Sequence, residues 1–350
     1  MAIYNSAREY YLSKQIGSYD NLTLRTKEIE QPKANEVLVK VHAVSLNYRD
    51  LLVATGRYLA SGPTNLVPCS DMAGEVMSVG EDVKDWKVGD RVCANFAIGH
   101  LHGDPTAATI ATGLGGQVHG VLTEYRTFPA NSLVSIPRSL SYEEASTLPC
   151  AALTAYNALH GPVPMKAGDY VLVLGTGGVS IFGLQLAVAA GAVVIATSSS
   201  DEKLKIASKL GAKHVINYKT QPNWEQEVMK ITNGAGVDHV IEVGGQGTLP
   251  KSIQSTRPGG QIHIIGFVSQ DTTDAGSLVV GCIKGAITLR GIQIGSRAQF
   301  VDMNRLIAAH PIVTRPYIDR VFPFEKAKEA YSYLESQAHI GKVVIKVTRD

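Results

Sequence analysis

YVLVLGTGGVSIFGLQLAVAAGA, residues 170–192, is the stretch on which the reading of the whole chain turns. A short apolar run, 170–174, enters Gly175-Thr176-Gly177-Gly178 and leaves as an apolar segment of helical spacing, so it reads as strand, turn and helix. At such a junction the first backbone N–H groups of the helix have no intrahelical partner and point at whatever lies above the strand end. Gly177 and Gly178 carry no side chain to hold a pyrophosphate away from that backbone, which predicts a dinucleotide site. Taken alone the pattern also fits an ordinary tight turn, so its flanks decide. Val179, Phe182, Gly183, Leu186 and Ala190 share one helical face and are expected on the sheet. Ser180 stands where the glycine pattern has its third glycine, the one that allows close helix–strand packing.

Outward from that turn, a second strand, 193–197, ends in Ser198-Ser199-Ser200-Asp201. An NAD site wants a carboxylate at this strand end, about 20 residues past the glycines, to bind the ribose 2′-hydroxyl. Ser198 occupies the place, and Lys203 one helical turn on can supply positive charge, which favours a 2′-phosphate and hence NADPH. Lys203 also suits a solvated helix surface, and Asp201 reads as the helix N-cap. Further strands are expected at 214–218, 238–243, 260–265 and 287–291, with helices at 223–232 and 249–256 between them. A helix from about 296 to 309 presents Phe300, Met303 and Ile307 on one face, and 341–345 is a closing strand.

The first third of the chain is different. EVLVKV (36–41), GEVMSVG (74–80) and WKVGDRV (86–92) are short segments bounded by glycine and aspartate, the signature of a compact β-rich unit. No helix of length is expected before about 141, and 96–120 reads as a long irregular loop.

Composition narrows the class. A chain of 350 residues exceeds the usual size of one core, and 45% hydrophobic with 18% charged residues is globular rather than disordered. A formal charge of +2 from 33 basic and 31 acidic residues gives no field for nucleic acid or anionic membrane. The four cysteines, Cys69, Cys93, Cys150 and Cys282, form no CxxC pair, and neither a signal peptide nor a membrane-spanning run is visible; the expectation is a cytoplasmic protein with reduced thiols.

LNYRD (46–50), AGEV (73–76), VGDRV (88–92), LPCAALTAYNAL (148–159) and the glycine turn together resemble the medium-chain dehydrogenase/reductase superfamily, in order and over essentially the whole chain. The resemblance is closer to the quinone oxidoreductase-like and enoyl-reductase-like members than to the zinc alcohol dehydrogenases. It implies an α/β protein: a GroES-like catalytic domain over 1–132 and 296–350, and a Rossmann NADP-binding domain of doubly wound parallel sheet over 133–295. It also implies that Thr154 borders the nicotinamide ring, that main-chain groups at Gly266 and Phe267 hold the nicotinamide amide, and that Tyr218 borders the adenosine end. Lys342 falls where relatives use a basic residue on the pyrophosphate. Arg297 falls at a cofactor contact, or equally at an ordinary helix start. With Gly175, Gly177, Gly178, Val179, Ser198, Ser199 and Lys203 these make up the expected cofactor set. The outer strand 287–291 is one that relatives often pair across a homodimer.

The same resemblance bears on metal. Relatives that oxidise alcohols hold zinc with cysteine, histidine and cysteine, but the matching positions here are Asn47, Ser70 and Cys150. A structural zinc would need four close cysteines where only Cys93 occurs. His100, His102 and His119 lie in or beside the long loop and read as solvated, so no bound zinc is expected. The chemistry is then left to Asn47, Tyr48, Asp50 and Tyr58, whose amide and hydroxyl groups can donate to a developing oxyanion. Asp50 could instead cap a helix and Tyr48 could simply pack. Relatives often carry tyrosine at the position of Leu52. The expectation is a zinc-independent NADPH-dependent reductase acting on a quinone or an α,β-unsaturated carbonyl. The alternatives are an alcohol dehydrogenase or aldehyde reductase, and a dinucleotide-binding protein with a regulatory role.

Overall fold

The computed structural model describes residues 5–13, 17–58, 62–267 and 275–348. The chain divides into two units: Met1–Leu153 with Gly295–Ala308 and Pro316–Asp350, and Thr154–Ile294 with Ala309–Arg315.

In the first unit the long strand Glu36–Leu46 organises a seven-stranded sheet. One edge of it pairs along its length with Asp71–Val79; the other takes Tyr125–Pro129 at its start and Lys342–Lys346 at its end. Arg91–Ala94 and Leu133–Ser135 continue the sheet on one side, and Ile318–Pro323 closes it on the other. Val37, Val39, Val41, Val44 and Leu46 are essentially unexposed and pack with Met72, Phe128, Phe324 and Tyr331. Each such side chain removed from water contributes roughly 1.5–3 kcal/mol before entropy is counted.

Two readings of this region change. The segment 86–92 becomes strand only from Arg91, because Asp90 turns back to accept the Lys87 backbone N–H at 2.9 Å. A short helix, Tyr48–Ala54, lies well before residue 141. The loop 96–120 is largely irregular as expected, with one helical turn, Ala107–Ile110, and the bridges Ala97–Gly113 and Leu114–Val118. The first unit also runs through Leu153, beyond residue 132, since Leu133–Ser135 is part of its sheet.

The second unit is a six-stranded parallel sheet in the order His214–Asn217, Val193–Ser198, Tyr170–Leu174, Val237–Glu242, Thr256–Ile264, Thr288–Gly291. Strand order reverses at Tyr170–Leu174, which makes the carboxyl end of that strand the topological switch point where open α/β sheets bind ligands. The helix Gly178–Ala189 is buried on more than the one expected face, with Ser180 through Ala187 all inside. Gln185 on its far side donates to the carbonyls of Val313 and Arg315 at 3.0 and 2.6 Å, which ties the segment Ala309–Arg315 to this unit. Among the described residues no helix is long and apolar enough to cross a membrane.

Candidate active site

In the second unit the glycine turn is a bare surface. Gly175 has φ +74°, a conformation that side chains resist, and a Cβ on either Gly175 or Gly177 would meet nothing within 4 Å. Gly177 caps the helix Gly178–Ala189 without any side-chain acceptor, so the N–H groups of its first turn are left to an incoming group. The serine in the last position of the glycine pattern has its own use. Ser180 Oγ donates to the Leu174 carbonyl at 2.6 Å and stitches the helix to the strand. Close approach is made one turn later at Gly183, where a Cβ would lie 3.3 Å from Ile241 and 3.6 Å from Val173.

The end of the second strand carries Ser198, buried, and Ser199, half-buried. Tyr218 donates its backbone N–H to the Ser198 carbonyl at 3.0 Å and leaves its ring 41% exposed beside it. The helix cap is Ser200, whose hydroxyl accepts the Lys203 N–H, and not Asp201. Asp201 accepts from Asn217 Nδ2 at 2.7 Å instead, so its charge is tied to the neighbouring strand end. Lys203 sits half-buried in the same first turn. Thr154 is buried with its hydroxyl unpartnered, Val179 and Gly178 are half-buried at the turn, and Phe267 is 68% exposed after Gly266, whose N–H bonds the Glu242 carbonyl. Glu242 itself, unremarked in the sequence, is fully buried and gathers the loop after its strand: it accepts from Gly244 N, Gly245 N and Thr248 Oγ1 at 2.8, 3.0 and 2.6 Å, and from Ser252 Oγ.

The first unit assembles a crowded polar cluster. Asn47 ends the strand Glu36–Leu46 and caps the helix Tyr48–Ala54, and its backbone N–H donates to Asp50 Oδ2 at 2.8 Å. Asp50 therefore does serve as a helix-start acceptor. Burial pushes its carboxyl up to about 6, against the pull of the adjacent Arg49. The Asn47 side chain turns to Lys342, the first residue of Lys342–Lys346, whose Nζ donates to Asn47 Oδ1 at 2.5 Å and to the Leu46 carbonyl at 2.7 Å. Lys342 is only 3% exposed. Asp71, fully buried opposite Ser45, accepts from Ser70 Oγ at 2.6 Å and from the Cys150 N–H at 3.0 Å. Burial raises its carboxyl, and the Lys342 charge opposes that rise. Cys150 lies in a π-helical turn, Leu148–Ala152, and burial followed by the Asp71 charge keeps its thiol protonated.

Tyr48 and Tyr58 stand apart from this group. Tyr48 is 38% exposed, and Tyr58 lies under the Arg49 guanidinium at 4.9 Å, which also covers Phe96 at 4.7 Å and donates to the Leu114 carbonyl. Arg297 donates through Nε to the Leu133 carbonyl at 2.9 Å. Lys342 and Asp71 are the members that the sequence did not place with Asn47. Register offers the one signal: Val343 pairs with Leu46, and Asp71 with Ser45, so both flank the strand end that carries Asn47.

Residues 33–138 match the alcohol dehydrogenase GroES-like domain family, and residues 178–309 match the zinc-binding dehydrogenase family. A zinc-type alcohol dehydrogenase-like protein of Schizosaccharomyces pombe is 49% identical over 346 residues, covering 97% of this chain and 99% of its own. A quinone oxidoreductase of Sus scrofa is 29% identical over 324 residues, 90% of each chain. Among solved structures, an NAD-dependent alcohol dehydrogenase superposes with a TM-score of 0.87 at 31% identity, covering 97% of this chain and 100% of that one.

Proposed function

The chain belongs to the medium-chain dehydrogenase/reductase superfamily, an α/β oxidoreductase with a GroES-like domain and a dinucleotide-binding Rossmann domain, and from that premise we propose that it is a zinc-independent NADPH-dependent reductase of quinones or α,β-unsaturated carbonyls. The observation that carries this reading is the set of groups at the positions matching the zinc ligands of relatives. One thiol with an amide and a hydroxyl makes a poor tetrahedral zinc site, since neither neutral oxygen competes with thiolate or imidazole for zinc. The Asn47 oxygen is moreover already engaged by an ammonium at 2.5 Å, and that positive charge opposes a second cation. Among the described residues no group of three or more His, Cys, Asp or Glu side chains is arranged to hold a metal.

A reductase without a metal needs donors for the oxygen that takes up negative charge, and Asn47 supplies an amide for that oxygen. The glycine turn fits a dinucleotide: the space over Gly175 and Gly177 is open, and the helix start offers uncapped N–H groups to a pyrophosphate. Bound there, a reduced nicotinamide supplies the hydride. Buried Ser198, with no carboxylate at that strand end and Asp201 held by Asn217, supports a 2′-phosphate over a free 2′-hydroxyl. Thr288–Gly291 is the outer strand of its sheet, with Leu289 37% exposed, which supports pairing with a second copy.

The test is a panel of quinones, enones and aldehydes assayed with NADPH and NADH, with and without chelator. Chelator-insensitive turnover of quinones or enones, with kcat/KM at least about tenfold higher for NADPH, is the expected result. Aldehyde reduction that a chelator abolishes would return the protein to the alcohol dehydrogenases. An NADH preference would overturn the cofactor reading, and binding without turnover would favour a regulatory role.

A further inference from the structure

Asp201 is an awkward charge for a protein that takes NADPH. It is exposed and stands three residues past Ser198, so at most about 11 Å of backbone separates it from the strand end where the 2′ group of a dinucleotide is read. A phosphomonoester carries about −1.5 to −2 charge at pH 7, and in water its repulsion by a carboxylate halves as the separation grows from about 4 to about 8 Å. Where the Asp201 carboxylate is held therefore bears directly on the choice of cofactor.

Its holder is Asn217, the last residue of His214–Asn217 and the register partner of Ser198. The Lys219 N–H donates to Asn217 Oδ1 at 3.0 Å; a backbone N–H needs an acceptor, so the amide oxygen is on that side and Nδ2 on the other. Nδ2 donates to Asp201 Oδ1 at 2.7 Å. Asn217 is the anchored member of the pair: it is half-buried, and its carbonyl accepts from Gln221 N and Thr220 Oγ1 at 2.8 and 3.1 Å. In the sheet order Asn217 and the glycine turn flank Val193–Ser198 on opposite sides, so the bond draws the carboxylate toward the outer strand. A negative charge suits a helix start, which accounts for an acid at 201 but not for its partner. Capping does not need Asp201 either, since Ser200 accepts the Lys203 N–H, and Glu202, the other acid of this turn, is bonded to Lys205 at 2.7 Å.

We propose that Asn217 is a positioning residue for cofactor choice: its amide, oriented by the Lys219 N–H, pins the Asp201 carboxylate toward the outer strand and so keeps negative charge back from a 2′-phosphate at the end of Val193–Ser198. This rests on the NADPH reading above and adds to it a residue that acts through Asp201 and not by touching the cofactor.

The experiment needs no turnover. Dissociation constants of NADPH, NADH, 2′,5′-ADP and 5′-AMP are measured by equilibrium titration of the full-length protein, in the parent, Asn217→Ala, Asp201→Asn and the Asp201→Asn/Asn217→Ala double variant. Asn217→Ala is expected to weaken NADPH and 2′,5′-ADP about fivefold, while NADH and 5′-AMP change by less than about twofold. In the Asp201→Asn background the same Asn217→Ala change is expected to move NADPH by less than about twofold, because no charge is left to pin. A loss shared equally by all four ligands would make Asn217 a support for the strand end and for Tyr218 beside it, and would overturn the proposal. So would a fivefold loss of NADPH affinity that persists in the Asp201→Asn background, or affinities that Asn217→Ala leaves unmoved. If the parent binds NADH more tightly than NADPH, the cofactor reading fails; the change in the NADPH to NADH ratio between the parent and Asn217→Ala still decides the pin, and an unchanged ratio overturns it. Should Asn217→Ala not fold, Asn217→Ser, whose hydroxyl can accept the Lys219 N–H but is too short to hold Asp201, takes its place under the same criteria.

Discussion

The glycine turn of the second unit and the Asn47 cluster of the first are built by opposite means. The turn works by what is missing: no side chain at Gly175 or Gly177, no capping acceptor, open space above the strand end. The cluster works by crowding, with Asn47, Asp50, Asp71 and Lys342 all at least nine-tenths buried, Asn47 bonded to Asp50 and Lys342, and Asp71 bonded to Ser70 and Cys150. A site made of exposed backbone can be altered without disturbing the fold around it. A site made of interlocked buried polar groups cannot, since each group satisfies another.

That contrast can be broken most directly at Asp71. Asp71→Ala strands the Ser70 hydroxyl and the Cys150 N–H and removes a charge that faces Lys342, so it is expected to cost about 3–5 kcal/mol, read as a lower urea midpoint. A midpoint equal to that of the parent would show that the cluster is not interlocked. Gly177→Leu is the matched change in the turn. Its extended backbone, φ −75° and ψ −179°, accepts a side chain and a Cβ meets nothing, so stability should fall by no more than about 1 kcal/mol. The side chain fills the cradle, however, and dinucleotide affinity is expected to drop about 100-fold, or about 2.7 kcal/mol. Undiminished binding would move the pyrophosphate away from this turn.

Acid sharpens the comparison further, because buried groups in the two units titrate with opposite sign. In the second unit His263, stacked on His239, is pushed down from 6.5 to about 3 by burial and then by the charges of His239 and Arg290. Folded, it binds fewer protons than unfolded, so its contribution is intact above about 6.5 and is lost as pH falls toward about 3. In the first unit Asp50 is raised from 3.8 to about 6, so its contribution is fully present below 3.8 and is lost as pH rises through about 6. Between pH 7 and 5 His263 should cost about 2 kcal/mol while Asp50 returns about 1 kcal/mol. His263→Gln should therefore flatten the acid loss of stability and Asp50→Asn should steepen it. Changes of the same sign in urea midpoints at the two pH values would refute the assignment.

The two regions also differ in how far they could be read beforehand. The strand, turn and helix at 170–192 are contiguous, and hydrophobic spacing with glycine chemistry is enough to place them. Even there, adjacent polar residues blurred the detail, since Ser200 rather than Asp201 takes the cap, and Ser180 with Gly183 divides a role usually given to one glycine. The cluster draws on residues 47, 50, 71, 150 and 342, and no local pattern announces that a lysine opening a late strand will turn inward. Asn47 was identifiable because it stands where relatives have a zinc ligand. Its partner was not, because the resemblance directs Lys342 to a pyrophosphate while strand register brings it beside Leu46 and Asn47.

That register has a consequence for how the protein is made. All six parallel strands of the second unit come from one uninterrupted segment, Thr154–Ile294, whereas the first unit holds Glu36–Leu46 against a strand far later in the chain, Lys342–Lys346. On the ribosome the nucleotide-binding sheet can form while the earlier sheet still has an unpaired inner edge, left open for some three hundred residues of translation. Polar side chains that will end buried around Asn47 stay wet through that interval, and the arrival of Lys342 both pairs that strand and completes the buried cluster. A chain truncated just short of that strand would accordingly keep the parallel sheet of the second unit and lack the buried polar cluster of the first.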